Sequence, residues 1–187
     1  EAVNLPNLTY IDNLEFAETG ELASLSQALQ SRKGRFQPTI VSYGDVLFNK
    51  YIPQALCQEQ DDCVIFVDSN WRDQSSYARL GGFAECSVPN SRKAFNAKIY
   101  LKQLGKTVPE ESIHGVWMGF LKLSSSAASQ VNDLLLDMLA DPANRRAGIP
   151  QLLQALLKQD VPVRVLYTVG HWLDVNSLED VVQAGNF

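Results

Sequence analysis

Three apolar runs in this chain end on an aspartate: TIVSYGD at Asp45, CVIFVD at Asp68 and GHWLD at Asp174. Aspartate is a favoured helix N-cap, so each could simply cap the element that follows it. A second role opens if two of them converge. Paired carboxylates supply the oxygen donors that a hard divalent cation takes, and magnesium usually leaves its other positions to water and substrate phosphates. An acidic pair repels a triphosphate unless such a cation stands between them. The chemistry these residue types point to is therefore magnesium-assisted attack on a phosphate ester.

Other chemistries have thinner support. Neither G-x-x-x-x-G-K-[ST] nor G-x-G-x-x-G occurs, so the common phosphate-cradling loops are absent from the sequence. No nucleophile motif accompanies His171, which precedes Trp172 and reads equally well as a packed ring. With two histidines in all, His114 and His171, a histidine-built metal site is not expected. Cys57, Cys63 and Cys86 are an odd number without C-x-x-C spacing, and read as reduced packing residues.

The elements that must position the aspartates follow from periodicity. GELASLSQALQSR (20–32) places Leu22, Leu25 and Leu29 on one helical face. LTYID (8–12) and PTIVSY (38–43) read as strands, the second covered on both faces, and VLFNKYIPQALCQ (46–58) reads as a helix with Pro53 in its first turn or at a kink. CVIFVD, AKIYLKQLG, HGVWMGFLKLS and VPVRVLYTVG read as strands, with amphipathic helices SSAASQVNDLLLDMLAD and IPQLLQALLKQ before the last of them. Asn176 or Ser177 caps a final helix, LEDVVQAG. The polar segment 69–92 is the expected substrate-facing excursion. This alternation predicts one α/β domain over 1–187, with a mixed and mostly parallel sheet whose ligands sit at the carboxyl ends of its strands.

Composition narrows the partners. The chain has 187 residues, 45% hydrophobic and 20% charged, with a net charge of −5 and no basic run dense enough to follow a phosphate backbone. Nucleic acid is not an expected partner. No stretch reaches the roughly 20 apolar residues that span a bilayer. The opening EAVNLPN lacks the basic flank and apolar centre of a signal peptide, so no membrane partner and a cytoplasmic location are expected.

Five phrases, LTYIDNLEFAETGELASLSQAL, IVSYGDVLFNKYI, VIFVDSNW, HGVWMGFLKLS and GHWLDVNSLEDVVQA, together resemble the nucleotidyltransferase domains fused behind phosphoenolpyruvate mutase in phosphonate biosynthesis. These are related to the phosphocholine and aminoethylphosphonate cytidylyltransferases and, more distantly, to sugar-nucleotide pyrophosphorylases. The resemblance covers nearly the whole chain. It implies a Rossmann-like nucleotidyltransferase fold and transfer of CMP from CTP to a phosphonate or phosphocholine-like acceptor. Asp45 and Asp174 match the family's metal-binding aspartates and would hold Mg2+, whereas Asp68 matches no ligand position and falls back to a strand-end or capping role. Gly20 and Ser24 match the turn that lies against the nucleobase, and Gly44 would admit the backbone close to the nucleotide. Trp117 offers an aromatic face to an ammonium group or a core ring; Arg72 and Arg79 either meet the acceptor's anionic group or stand solvated.

Two departures from the family pattern set further expectations. The family's glycine-rich, basic N-terminal segment has no counterpart, so an N-terminal strand and helix are expected to be missing from the fold. A longer polypeptide or a second copy would then cover the exposed edge. Val116 stands where relatives carry glutamate, which implies a changed acceptor or lost turnover. A binding module that keeps the fold without catalysis is the competing reading.

Overall fold

The computed structural model describes residues 7–73, 82–94 and 97–185. Its core is built on two strands in which every residue is buried, β3 (Cys63–Asp68) and β6 (Gly115–Leu123). Alternate side chains of a strand leave opposite faces. Cys63, Ile65, Val67, Trp117, Leu121 and Leu123 therefore enter one apolar cluster, and Val64, Phe66, Val116, Met118 and Phe120 enter another. Strands covered on both faces read as continuous apolar runs, which is how both look in the sequence.

Three helices cover the first face. In α1 (Glu21–Gln30) the leucines at 22, 25 and 29 are buried, and α3 (Ser125–Ala140) and α4 (Ile149–Lys158) add Val131, Leu135, Leu152, Leu153 and Leu156 to the same cluster. The opposite face carries α2 (Tyr51–Gln58), through Ile52 and Leu56, and a ribbon of two short strands, β2 (Val46–Phe48) and β8 (Trp172–Asp174). Lys122, next to the end of the buried strand β6, is accommodated because its ammonium donates to the carbonyls of Glu59 (3.1 Å) and Asp61 (2.7 Å) beyond the end of α2.

The main sheet runs β1 (Thr39–Ser42), β6, β3, β7 (Val163–Thr168), β5 (Ile99–Leu104), β4 (Phe83–Cys86). β4 also pairs with β6, Phe83 opposite Val116. Among the described residues only β3 and β7 are parallel; every other pairing is antiparallel. The expectation of a mostly parallel sheet is corrected here. A buried apolar run states that a strand is covered on both faces but carries no sign of its direction, and the β4–β6 segment returns antiparallel without crossover helices.

Local differences follow the same logic. PTIVSY forms β1, an edge strand in which only Thr39 is buried, rather than one covered on both faces. VLFNKYIPQALCQ divides into β2 and then α2, with Pro53 in the first turn. LTYID, expected as a strand, is exposed and irregular. At the end of the chain α5 (Leu178–Ala184) starts on a reciprocal cap: Ser177 Oγ accepts from the Asp180 amide, and the Asp180 carboxylate accepts from the Ser177 amide at 2.8 Å. Among the described residues no helix is long and apolar enough to cross a membrane.

Candidate functional site

The β2–β8 ribbon brings the two sequence-distant aspartates together. β1 leads through Tyr43 and Gly44 to Asp45, and the chain then pairs antiparallel with β8 in the register Val46 to Asp174, Leu47 to Leu173 and Phe48 to Trp172. One step further on, the Val175 amide donates to the Asp45 carbonyl at 2.8 Å. Asp45, in the turn just before β2, thus lies one step across the ladder from Asp174, the last residue of β8. Asp45 is exposed, whereas Asp174 is 8% exposed.

The electrostatics of the pair favour a cation. Asp174 holds its proton more tightly than an ordinary carboxyl, first because burial disfavours its charge and then because Asp45 is charged beside it; the hydrogen bond from Asn176 works the other way, and the Asp180 charge adds to the rise. Asn176 Nδ2 donates to Asp174 Oδ2 at 2.5 Å and orients the carboxylate. Among the described residues neither aspartate forms an ion pair. No set of three or more His, Cys, Asp or Glu that could hold a metal occurs among them either. Two carboxylates without an ion pair among the described residues are donors of the kind that could hold magnesium, which commonly takes one or two carboxylates plus substrate phosphate.

Beside Asp174 lies a cavity lined by Tyr43, Trp117, Met118, Gly119 and Trp172, with no lysine or arginine among the described residues of its wall. Tyr43 is its hinge residue. Its hydroxyl donates to Glu21 Oε2 at 2.8 Å, joining α1 to this side of the sheet, and its ring meets Trp117 edge-on at 5.5 Å. Burial, the bond to Glu21 and the charges of Glu21, Asp45 and Asp174 all push the Tyr43 phenol upward, so it stays protonated. Gly119 makes room for that ring: it has φ +81°, and a Cβ there would lie 2.6 Å from Tyr43 Cδ2. Trp117 is 3% exposed and donates its Nε1 to the Phe120 carbonyl at 2.7 Å, so its polar atom is occupied and its ring face is what it presents.

The remaining candidates fall as follows. Gly20 is the N-cap of α1 and lies against the 145–147 backbone, where a Cβ would sit 2.4 Å from the Ala147 carbonyl oxygen. Ser24 is exposed and accepts from Asn13 Nδ2 at 3.0 Å. Neither lines the cavity; Glu21, between them, reaches its Tyr43. Gly44 stands next to Asp45 with open space where a side chain would point. Arg72 is exposed and stacks on Trp71 at 4.3 Å, and Arg79 lies outside the described residues. Val116 is fully buried and points into the apolar cluster of Trp172. Asp68 is also fully buried: Oδ1 accepts from the Asn70 amide at 2.8 Å, an Asx-type cap of the turn that follows, and Oδ2 accepts from Trp172 Nε1 at 2.9 Å.

Sequence reasoning did not single out Tyr43, Glu21 or Asn176. Asn176 had a local signal, since an amide two residues after an aspartate can reach its carboxylate. The Tyr43–Glu21 bond joins a strand end to a helix start and leaves no pattern in the chain.

No protein-family model and no curated protein matches the sequence. Solved structures do. The chain superposes on the inositol-1-phosphate CTP transferase from T. maritima with TM-score 0.59 and 16% identity, over 90% of this chain and 60% of that one. For the CTP:phosphocholine cytidylyltransferase from Streptococcus pneumoniae the values are 0.61 and 11%, over 93% and 66%. A Bacillus anthracis protein assigned as a glucose-1-phosphate thymidylyltransferase gives 0.59 and 16%, over 90% and 61%. The chain thus has the α/β fold of nucleotidyltransferases and spans about two-thirds or less of the length of these neighbours.

Proposed function

We propose that this chain forms the cation- and acceptor-binding part of a magnesium-dependent nucleotidyltransferase that moves CMP from CTP to a phosphonate or phosphocholine-like acceptor. The observation that supports the reading is the register of the β2–β8 ribbon, which pairs Asp174 with Val46 and bonds the Val175 amide to the Asp45 carbonyl, so the two aspartates stand one step apart across the ladder, with no ion pair to either among the described residues. The fold shared with structures of a CTP transferase and a cytidylyltransferase supports the same reaction class.

In this reading an oxygen of the acceptor's phosphonate or phosphate attacks the α-phosphorus of the triphosphate, and the bond to pyrophosphate breaks with its electron pair leaving on pyrophosphate. Magnesium, when bound, neutralises phosphate charge and orients the α-phosphate. Asp45 and Asp174 would hold it, and Asn176 orients the Asp174 carboxylate through their 2.5 Å hydrogen bond. Tyr43, Trp117 and Trp172 wall the cavity beside Asp174 and offer ring faces and a carboxylate to an ammonium-bearing acceptor. Arg72, stacked on Trp71, and Arg79 supply cations for the acceptor's anionic group.

One observation favours a second reading, a module that binds without turnover. Among the described residues the cavity wall contains no cationic side chain to meet a triphosphate, and Val116 is sealed in the core. Incubation with CTP, Mg2+ and either 2-aminoethylphosphonate or phosphocholine, read as pyrophosphate release, separates the two. Release that disappears in Asp174→Asn supports the transferase. Absence of release with CTP or TTP, with a sugar phosphate included as third acceptor, supports the binding module.

A further inference from the structure

We infer that Asp68 is a positioning residue for the Asp45–Asp174 pair, acting through Trp172; this rests on the transferase reading above. The parallel strands β3 and β7 end side by side at Asp68 and Thr168, and the chain then reverses through Gly170 (φ +65°) and His171 (φ +63°) before β8 begins. Two consecutive left-handed residues, one of them not glycine, do not hold a fixed bend unless neighbours determine it. Asp68 does so from both ends. Its Oδ1 accepts from the Gly170 amide at 3.2 Å inside the bend, and its Oδ2 accepts from Trp172 Nε1 at 2.9 Å at the first residue of β8.

The geometry also explains why an aspartate stands here. Asp68 shares the face of Val64 and Phe66, so its carboxylate points toward the layer that contains the ribbon, and it is fully buried with Trp172 4% exposed. A buried carboxylate is tolerated only with donors around it, and among the described residues the Asn70 and Gly170 amides and the indole N–H are aimed at this one. Trp172 pairs with Phe48, two residues along the same ladder from the Val46–Asp174 pair. A rotation of the indole is therefore passed along β8 to Asp174 without any contact between Asp68 and the ligand.

The test uses the full chain with two readouts. Amide exchange measures how often Val175, which donates to the Asp45 carbonyl, is released, and titration with Mn2+ alone measures affinity at the pair. Asp68→Asn leaves one acceptor oxygen where the carboxylate served the Asn70 and Gly170 amides and the indole, and Trp172→Phe removes the indole N–H with a smaller ring. Each is expected to speed exchange at Val175 by about tenfold or more while β3 and β6 core amides keep their protection. The Asp68→Asn/Trp172→Phe double variant is expected to be no worse than the worse single one. Mn2+ affinity is expected to fall in parallel. Unchanged Val175 exchange in both variants, a uniform loss of protection across the sheet, or additive effects in the double variant would overturn the inference. If the wild type binds no Mn2+ the transferase reading fails on its own, and the exchange data still decide the role of Asp68.

Discussion

Replacing Gly119 and Gly44 in turn by alanine separates a glycine required by packing from one that leaves room for a ligand. At Gly119 the φ of +81° is a region an L side chain rarely adopts, and holding alanine there costs about 1–3 kcal/mol. Its Cβ would also sit 2.6 Å from Tyr43 Cδ2, and displacing a packed ring costs about 1–3 kcal/mol more. The sum, centred near 4 kcal/mol, is a large part of the roughly 5–15 kcal/mol that holds a domain together. For a chain of this length it lowers Tm by about 8–16 °C. At Gly44 a methyl group meets nothing within 4 Å, so Gly44→Ala is expected to stay within about 0.5 kcal/mol of the parent. Thermal melts followed by circular dichroism compare the two variants, and a nucleotide titration of each adds the second half: Gly44→Ala keeps its Tm and loses affinity for CTP with Mg2+ if that backbone approaches the nucleotide. A Gly119→Ala protein that melts with the parent would refute the packing argument at Tyr43, and a destabilised Gly44→Ala would refute the assignment of open space beside Asp45.

Further outcomes are expected for three perturbations: Asp174→Asn, thiol labelling and Lys122→Met. Asp174→Asn should raise the Tm of the metal-free protein at pH 7, because the folded state holds the Asp174 proton more tightly than the unfolded chain does; that destabilising charge is absent below the unfolded-state pKa and sets in as pH rises through the folded-state value. The same variant should weaken Mn2+ binding by more than about tenfold, measured by calorimetry. Cys63 and Cys86 are buried, with thiols pushed up to about 11 chiefly by burial, so at pH 8 iodoacetamide should label only the exposed Cys57 in the folded protein, and stability should fall as pH climbs from about 9 toward 11. Lys122→Met should cost about 1–3 kcal/mol in urea denaturation, because it leaves the Glu59 and Asp61 carbonyls without their donor.

Burial was legible in the sequence, and pairing much less so. The continuous apolar runs of β3 and β6 and the leucine spacing of α1 announce the core directly, since their side-chain periods are fixed by backbone geometry. Direction is not encoded in that pattern, which is why the sheet proved mostly antiparallel. The three-residue β2 is too short to show a period and merged with the helix after it, while LTYID has strand-forming residues but is exposed and irregular. Of the site, Asp45 and Asp174 were visible as strand-end carboxylates, but their neighbourhood depends on a register set by tertiary packing. The role of Asp68 was hidden for the same reason: nothing local shows that an indole from another strand donates to it.

The central claim is that Asp45 and Asp174 jointly hold a hard divalent cation. Paramagnetic broadening of backbone amide signals by substoichiometric Mn2+ tests it most directly. The account predicts one site, with signals of residues 44–47 and 172–176 lost first and retained in Asp174→Asn. Broadening centred instead on the carboxylates of α3 at Asp133 and Asp137, or none at the ribbon, would contradict it.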